Sequence, residues 1–185
     1  HELLNMNYIN TTLSYVLLQK TLKRKISFSG VGVHSGRAVS MSIEPAEADT
    51  GIIFERTDLD KNNVIKAVIE NVVDSRLCTK IINSSGIYVY TIEHLMAALS
   101  ALGIDNAIVK INTSELPALD GSSNEYVKKI INSGIKTLNK SKKIFKVLKE
   151  VKVKNGERFI SISPSNSLSI NISINYPNTI IGHSQ

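Results

Sequence analysis

The stretch YTIEHLMAALSALGIDN, Tyr90 to Asn106, decides how this chain is read. Stepping about 100° per residue from Ile92, the side chains of Ile92, Leu95, Met96, Leu99 and Leu102 fall in one broad arc. That pattern predicts a helix from Thr91 to Leu102 with the arc against a core. Thr91 or a neighbour is expected to cap it, and Gly103 to stop it. The other side holds Ala97, Ser100 and Ala101, which are small rather than charged, and so suits close approach by another surface. Glu93 and His94 stand on that side, in the first turn. Ionisable groups on a buried helix must be paired, hydrogen-bonded, or bound to a ligand or metal. The plainer alternative is a Glu that serves the helix dipole and a His satisfied by a backbone carbonyl.

Spacing narrows the metal chemistry. A two-His zinc helix needs a second His four residues away, and Tyr90 and Ala98 occupy those places. The helix therefore offers one ligand, His94, and any others must come from elsewhere. No nucleophile elbow is present for a Ser-His-Asp system.

Around this helix the chain alternates as half-buried strands do. KRKISFSG leads into the turn GVGVHSG, and AVSMSIEP follows with Val39, Met41 and Ile43 on one face. This is not a dinucleotide loop, because the third glycine falls one residue late and a strand follows where a helix should. GIIFERTD, NVIKAVIENVV, LCTKIIN and IYVYT are further strand candidates, with Ser84–Gly86 as a hairpin turn. After Gly103 come the strand NAIVKIN, the turn SELPALDG and a second helix over about 123–133, for which SSNE at 122–125 suggests a capping box. Beyond Lys140 the chain has only alternating segments: IFKVLKEVKVK, RFISISP and LSINISIN.

The composition bounds the rest. The chain has 185 residues, 42% of them hydrophobic, and no run long and apolar enough to span a membrane. Cys78 is the sole cysteine, which excludes an intramolecular disulfide and a zinc ribbon and favours a cytoplasmic setting. The net charge is +6, but Lys136 to Arg158 alone carry nine Lys/Arg against two Glu. A basic patch this local reads as a solvated linker and strand face, or as attraction to an anionic ligand or membrane surface. A nucleic-acid module is disfavoured, because Phe145 is the only ring among Lys140–Lys154 and base stacking is poorly served.

The motifs GVGVHSG, DSRLCT, TIEHLMAALSALGIDN and ELPALDGSS, in this order and spacing, resemble those of the UDP-3-O-acyl-N-acetylglucosamine deacetylases. These are zinc amidases of lipid A biosynthesis in Gram-negative bacteria. The resemblance runs from about Lys20 to the end. It implies an α+β fold of two similar domains, each a small mixed or antiparallel sheet with two helices, their helical layers packed together around the active site. On that basis residues 1–19 are a leader, 20–139 the first domain, and 140–185 the start of a truncated second domain. The resemblance makes Glu93 the general base and His94 a zinc ligand. It places His34, Leu77, Cys78 and Thr79 at the substrate pocket, and Asp120 as a brace for the next helix. As a turn residue and a small buried hydrophobe, His34 and Cys78 also have ordinary explanations. The implied cofactor is Zn2+, and the partner a UDP-linked acylated amino sugar, with peripheral association with the cytoplasmic membrane surface and no nucleic acid. The remaining ligands are expected beyond Gln185, so the chain alone is expected to be inactive, or to act as a non-catalytic binding fragment.

Overall fold

The structure, a computed structural model, describes residues 17–176 and 182–184. Most of the segment read as a leader, 1–16, lies outside the described residues. The chain divides into two compact units between Lys142 and Lys143.

The first unit is built on a five-stranded sheet. Its strands are β2 (Ile26–Val31), β3 (Ala38–Pro45), β4 (Ile52–Arg56), β5 (Val64–Lys66) and β9 (Ala107–Ile111), in the spatial order β2-β3-β9-β4-β5. Every neighbouring pair is antiparallel except β4 and β9, where Phe54 stands beside Val109 in parallel register. The predicted strand-turn-strand around GVGVHSG is the β2–β3 hairpin, with Phe28 opposite Met41. Alternation works as expected: Val39, Met41 and Ile43 face the core, while Ser27, Ser29 and Ser40 are exposed. On the outer face Glu44 accepts ion pairs from Lys25 and Lys110 at 2.9 and 3.2 Å.

Two smaller sheets flank this one. β1 (Leu18–Leu22) pairs antiparallel with β10 (Ile135–Ser141). The strands β6 (Val72–Val73), β7 (Lys80–Ile82) and β8 (Tyr88–Tyr90) form an antiparallel three-stranded sheet. The β7–β8 connection holds the turn read at Ser84–Gly86, closed by the Gly86 N–H donating to the Asn83 carbonyl. A single 3-10 turn, Ile69–Asn71, interrupts the stretch read as one strand before β6.

Two helices complete the unit: α1 (Glu93–Ala101) and α2 (Asn124–Ser133). Leu95, Leu99, Tyr126 and Ile130 join Phe28, Met41, Ile43, Phe54 and Val109 in one hydrophobic core. Each such fully buried Leu or Ile contributes about 1.5–3 kcal/mol. The arc predicted for α1 is the buried one: Ile92, Leu95 and Leu99 are buried, and Met96 and Leu102 pack at its margin. Its small face, Ala97, Ser100 and Ala101, is exposed. Gly103, at φ +68°, ends the helix as predicted. The Ile104 and Gly103 amides donate to the Leu99 and Ser100 carbonyls, the paired bonds of a Schellman motif.

Neither helix start carries a side-chain cap. Ile92 is the residue that caps α1, with no side-chain hydrogen bond, because the Thr91 hydroxyl is drawn instead to the buried Glu115. No capping box opens α2. The Ser122 hydroxyl donates to Asp120 and accepts from the Asn124 amide. Asp120 thus braces the helix start through Ser122, and those hydrogen bonds hold its carboxyl below the usual carboxylate range.

The second unit contains two antiparallel hairpins. One joins β11 (Val151–Asn155) to β12 (Arg158–Ile162), the other β13 (Ile174–Tyr176) to β14 (Gly182–Ser184). IFKVLKEVKVK is strand only from Val151 on, and LSINISIN only from Ile174. Alternation there meets no core, since Val151, Val153, Phe159, Ile160 and Ile162 are all exposed. The overall class is α+β, several small sheets with two helices among the described residues. No helix among them is long and apolar enough to cross a membrane.

Candidate active site

Glu93 is the first residue of α1, where the unpaired amides of the helix start favour a negative charge. Its Oε2 accepts the Thr79 N–H at 3.0 Å. This bond ties the helix start to the loop before β7. His94, half-buried, follows on the same turn, and its imidazole makes no hydrogen bond among the described residues. The carbonyl partner considered for it is therefore not what holds it.

A cleft of about 300 Å³ is lined by His34 from the β2–β3 turn, Ser75, Arg76 and Cys78 from the loop before β7, and Lys80, Tyr88 and Tyr90 from β7 and β8. The Tyr90 ring stands 6.2 Å from His34 and 6.1 Å from Tyr88. Lys80 Nζ lies over the Tyr88 ring at 4.0 Å. Ser75 Oγ and Cys78 Sγ are 3.1 Å apart. With Arg76 and Lys80 in its wall and no carboxylate among the lining residues, the cleft favours an anionic ligand.

The structure links four of the six candidates in two pairs: His34 and Cys78 line the cleft, and Thr79, next to Cys78 in the chain, holds Glu93. His94 follows Glu93 on α1 and does not line the cleft. Leu77 does not line the cleft. It is 91% exposed, at φ +62°, on the outside of the loop.

One acid was missed in the sequence. Glu115, within ELPALDGSS, was read only as part of a turn, yet it is fully buried. Burial alone would raise its carboxyl. Hydrogen bonds from the Ser35 side chain, the His34 and Ser35 amides and Thr91 outweigh that effect and hold it below the usual range. The usable signal was an acid set directly against an apolar Leu-Pro pair. Tyr90 donates to the same carboxylate, and burial followed by that negative charge pushes its phenol up, so the hydroxyl stays a donor.

Residues 19–185 match the family described as UDP-3-O-acyl N-acetylglycosamine deacetylase. Proteins named UDP-3-O-acyl-N-acetylglucosamine deacetylase are similar along most of the chain. The one from Geotalea uraniireducens is 44% identical, over 88% of this chain and 53% of its own length. That from Aliivibrio fischeri is 38% identical, over 87% and 53%, and that from Pasteurella multocida 36%, over 90% and 55%. The chain spans about half the length of the curated relatives it matches, as an amino-terminal portion would. With four motifs in register and the matching α+β architecture, this chain belongs to the UDP-3-O-acyl-N-acetylglucosamine deacetylase family.

Proposed function

We propose that the protein carrying this chain hydrolyses the N-acetyl amide of a UDP-3-O-acyl-N-acetylglucosamine, an early step of lipid A biosynthesis, with Glu93 as general base and His94 as one zinc ligand. The observation that carries this reading is the Glu93–His94 pair at the start of α1: one carboxylate oxygen is anchored by Thr79, and an uncommitted imidazole stands on the same turn.

A catalytic zinc takes three protein ligands and keeps one position open. Among the described residues no group of three His, Cys, Asp or Glu could hold a metal. His94 fits as one ligand, and Glu93 is kept as the base. A bound zinc would acidify a water to a pKa of about 7 and polarise the amide carbonyl.

The chain's own residues supply the rest. The Thr79 amide fixes Glu93 Oε2 and turns the carboxylate, leaving Oε1 to take the proton from an attacking water. Arg76 and Lys80 give the cleft the positive potential that a nucleotide diphosphate requires. His34 and Cys78 border the sugar, and the reaction runs in the cytoplasm beside the membrane surface. The test is acetate release from the acylated UDP-sugar by the zinc-loaded full-length protein. The isolated 185-residue chain is expected to show none. Turnover by the isolated chain would sink the ligand assignment.

The basic segment supports a separate electrostatic prediction. Lys142 does not belong to the free surface, since its Nζ pairs with Asp105 at 3.0 Å and reaches the Gly103 carbonyl. Lys143, Lys146 and Lys149 are exposed, beside the exposed Phe145 and Leu148. If they hold the protein at an anionic membrane, replacing all three with Gln weakens binding to vesicles containing phosphatidylglycerol at low salt. The difference then shrinks by 0.5 M salt, where screening acts within about 4–5 Å. Equal binding by both proteins at low salt would assign these lysines to solvation alone.

A further inference from the structure

Glu115 is a fully buried carboxylate with no Lys or Arg paired to it among the described residues. Such a group is expensive unless hydrogen bonds replace its lost water. Its bonds come from two separate places in the fold. From the β2–β3 turn, the His34 amide donates to Oε1 at 2.9 Å and the Ser35 amide to Oε2 at 2.8 Å. From the junction of β8 with α1, the Thr91 hydroxyl donates to Oε1 and the Tyr90 hydroxyl to Oε2, both at 3.3 Å.

The backbone around the acid is anchored on the same junction. The Tyr90 amide donates to the Ser114 carbonyl at 2.9 Å, and the Leu116 amide to the Tyr90 carbonyl at 3.2 Å. On the turn side, a Cβ at Gly32 would lie 2.2 Å from Glu115 Oε2, so the turn closes on the carboxylate only because that residue is glycine. Thr91 is held at φ +59°, a conformation that strains a β-branched residue and persists only when its surroundings over-determine it. The hydroxyl bond to Glu115 is one such determinant.

We propose that Glu115 is a positioning residue, which fixes the His34 turn relative to the first turn of α1 and so sets His34 against Glu93 and His94. The proposal rests on the deacetylase reading above. Glu115 does not line the cleft and acts through the two segments it joins. A neutral group of the same volume could fill the space. It could not accept from two consecutive turn amides at once.

The test uses the zinc-loaded full-length protein. Glu115→Gln keeps the volume but sets an NH2 against one of the two amides. It is expected to lower kcat by about 10-fold with KM within about 2-fold, as small misplacements of catalytic groups do. His34→Ala alone should also lower kcat, and the double variant should fall no further than His34→Ala, because both changes act through one turn. Multiplying losses in the double variant, or an unchanged kcat in His34→Ala, would overturn the proposal. Should Glu115→Gln fail to fold, Tyr90→Phe and Thr91→Val each remove one hydroxyl and keep the shape. Each is then expected to lower kcat a few-fold, again without adding to His34→Ala, and full activity in both would overturn the proposal. Glu93→Gln in the same series separates the two readings, since full activity there defeats the deacetylase assignment rather than the role of Glu115.

Discussion

Glu93→Gln in the full-length protein is expected to lower kcat by about 10²- to 10⁴-fold, the usual contribution of a positioned general base. The glutamine carbonyl can still accept the Thr79 N–H that Glu93 Oε2 accepts at 3.0 Å. The helix start and the loop before β7 therefore stay joined, and the folded structure should change little. What disappears is the basicity of the other oxygen. Zinc content, measured by atomic spectroscopy after dialysis, should equal that of the unmodified protein, because the base is not a ligand. An unchanged rate at equal zinc would remove Glu93 from the chemistry and leave it as a helix-start acid serving the dipole.

His94→Ala is expected to have the complementary signature. Changing only the outer partner of a metal-bound His costs about 10- to 100-fold in affinity, so loss of the imidazole itself should weaken zinc binding by at least about 100-fold. The measurement is competition with a chromophoric chelator, backed by the thermal shift on adding zinc, which mass action makes large for a tight site. Half-burial of His94 on α1 leaves the substitution a modest loss of packing, so the metal-free variant should still fold. Wild-type zinc occupancy in this variant would show that the ligand lies elsewhere.

The candidate site was only partly legible in the chain. Glu93 and His94 stood out because two ionisable groups on an otherwise apolar and small helix demand an explanation, and His34, Cys78 and Thr79 came from motif resemblance rather than from physics. Glu115 gave a weaker signal. Its neighbours in sequence look like an ordinary turn, and its donors, His34, Ser35, Tyr90 and Thr91, come from positions 24 to 81 residues away. Of Thr91 and its neighbour, Ile92 took the cap position for the same reason. A cap is a local bond, and a distant buried carboxylate competed for the Thr91 hydroxyl and won. Lys142 likewise looked like one more member of a basic run until its partner Asp105 was in place.

What the chain determined by itself was everything set by local periodicity and by backbone restriction. The two-residue alternation of Val39, Met41 and Ile43 chose a strand and its inner face, and the wide apolar arc from Ile92 to Leu102 chose a helix and its buried side. Gly103 ended that helix because a glycine adopts positive φ without the steric penalty other residues meet. The tertiary structure alone decided which strands are neighbours, including the parallel pairing of β4 with β9 across some fifty residues. It also decided where polar side chains find partners. Periodicity records only which face of an element is apolar, whereas a buried hydroxyl or carboxylate bonds to whichever donor or acceptor the packed core brings near. For Glu115 that choice was made by the closing of the β2–β3 turn against the start of α1.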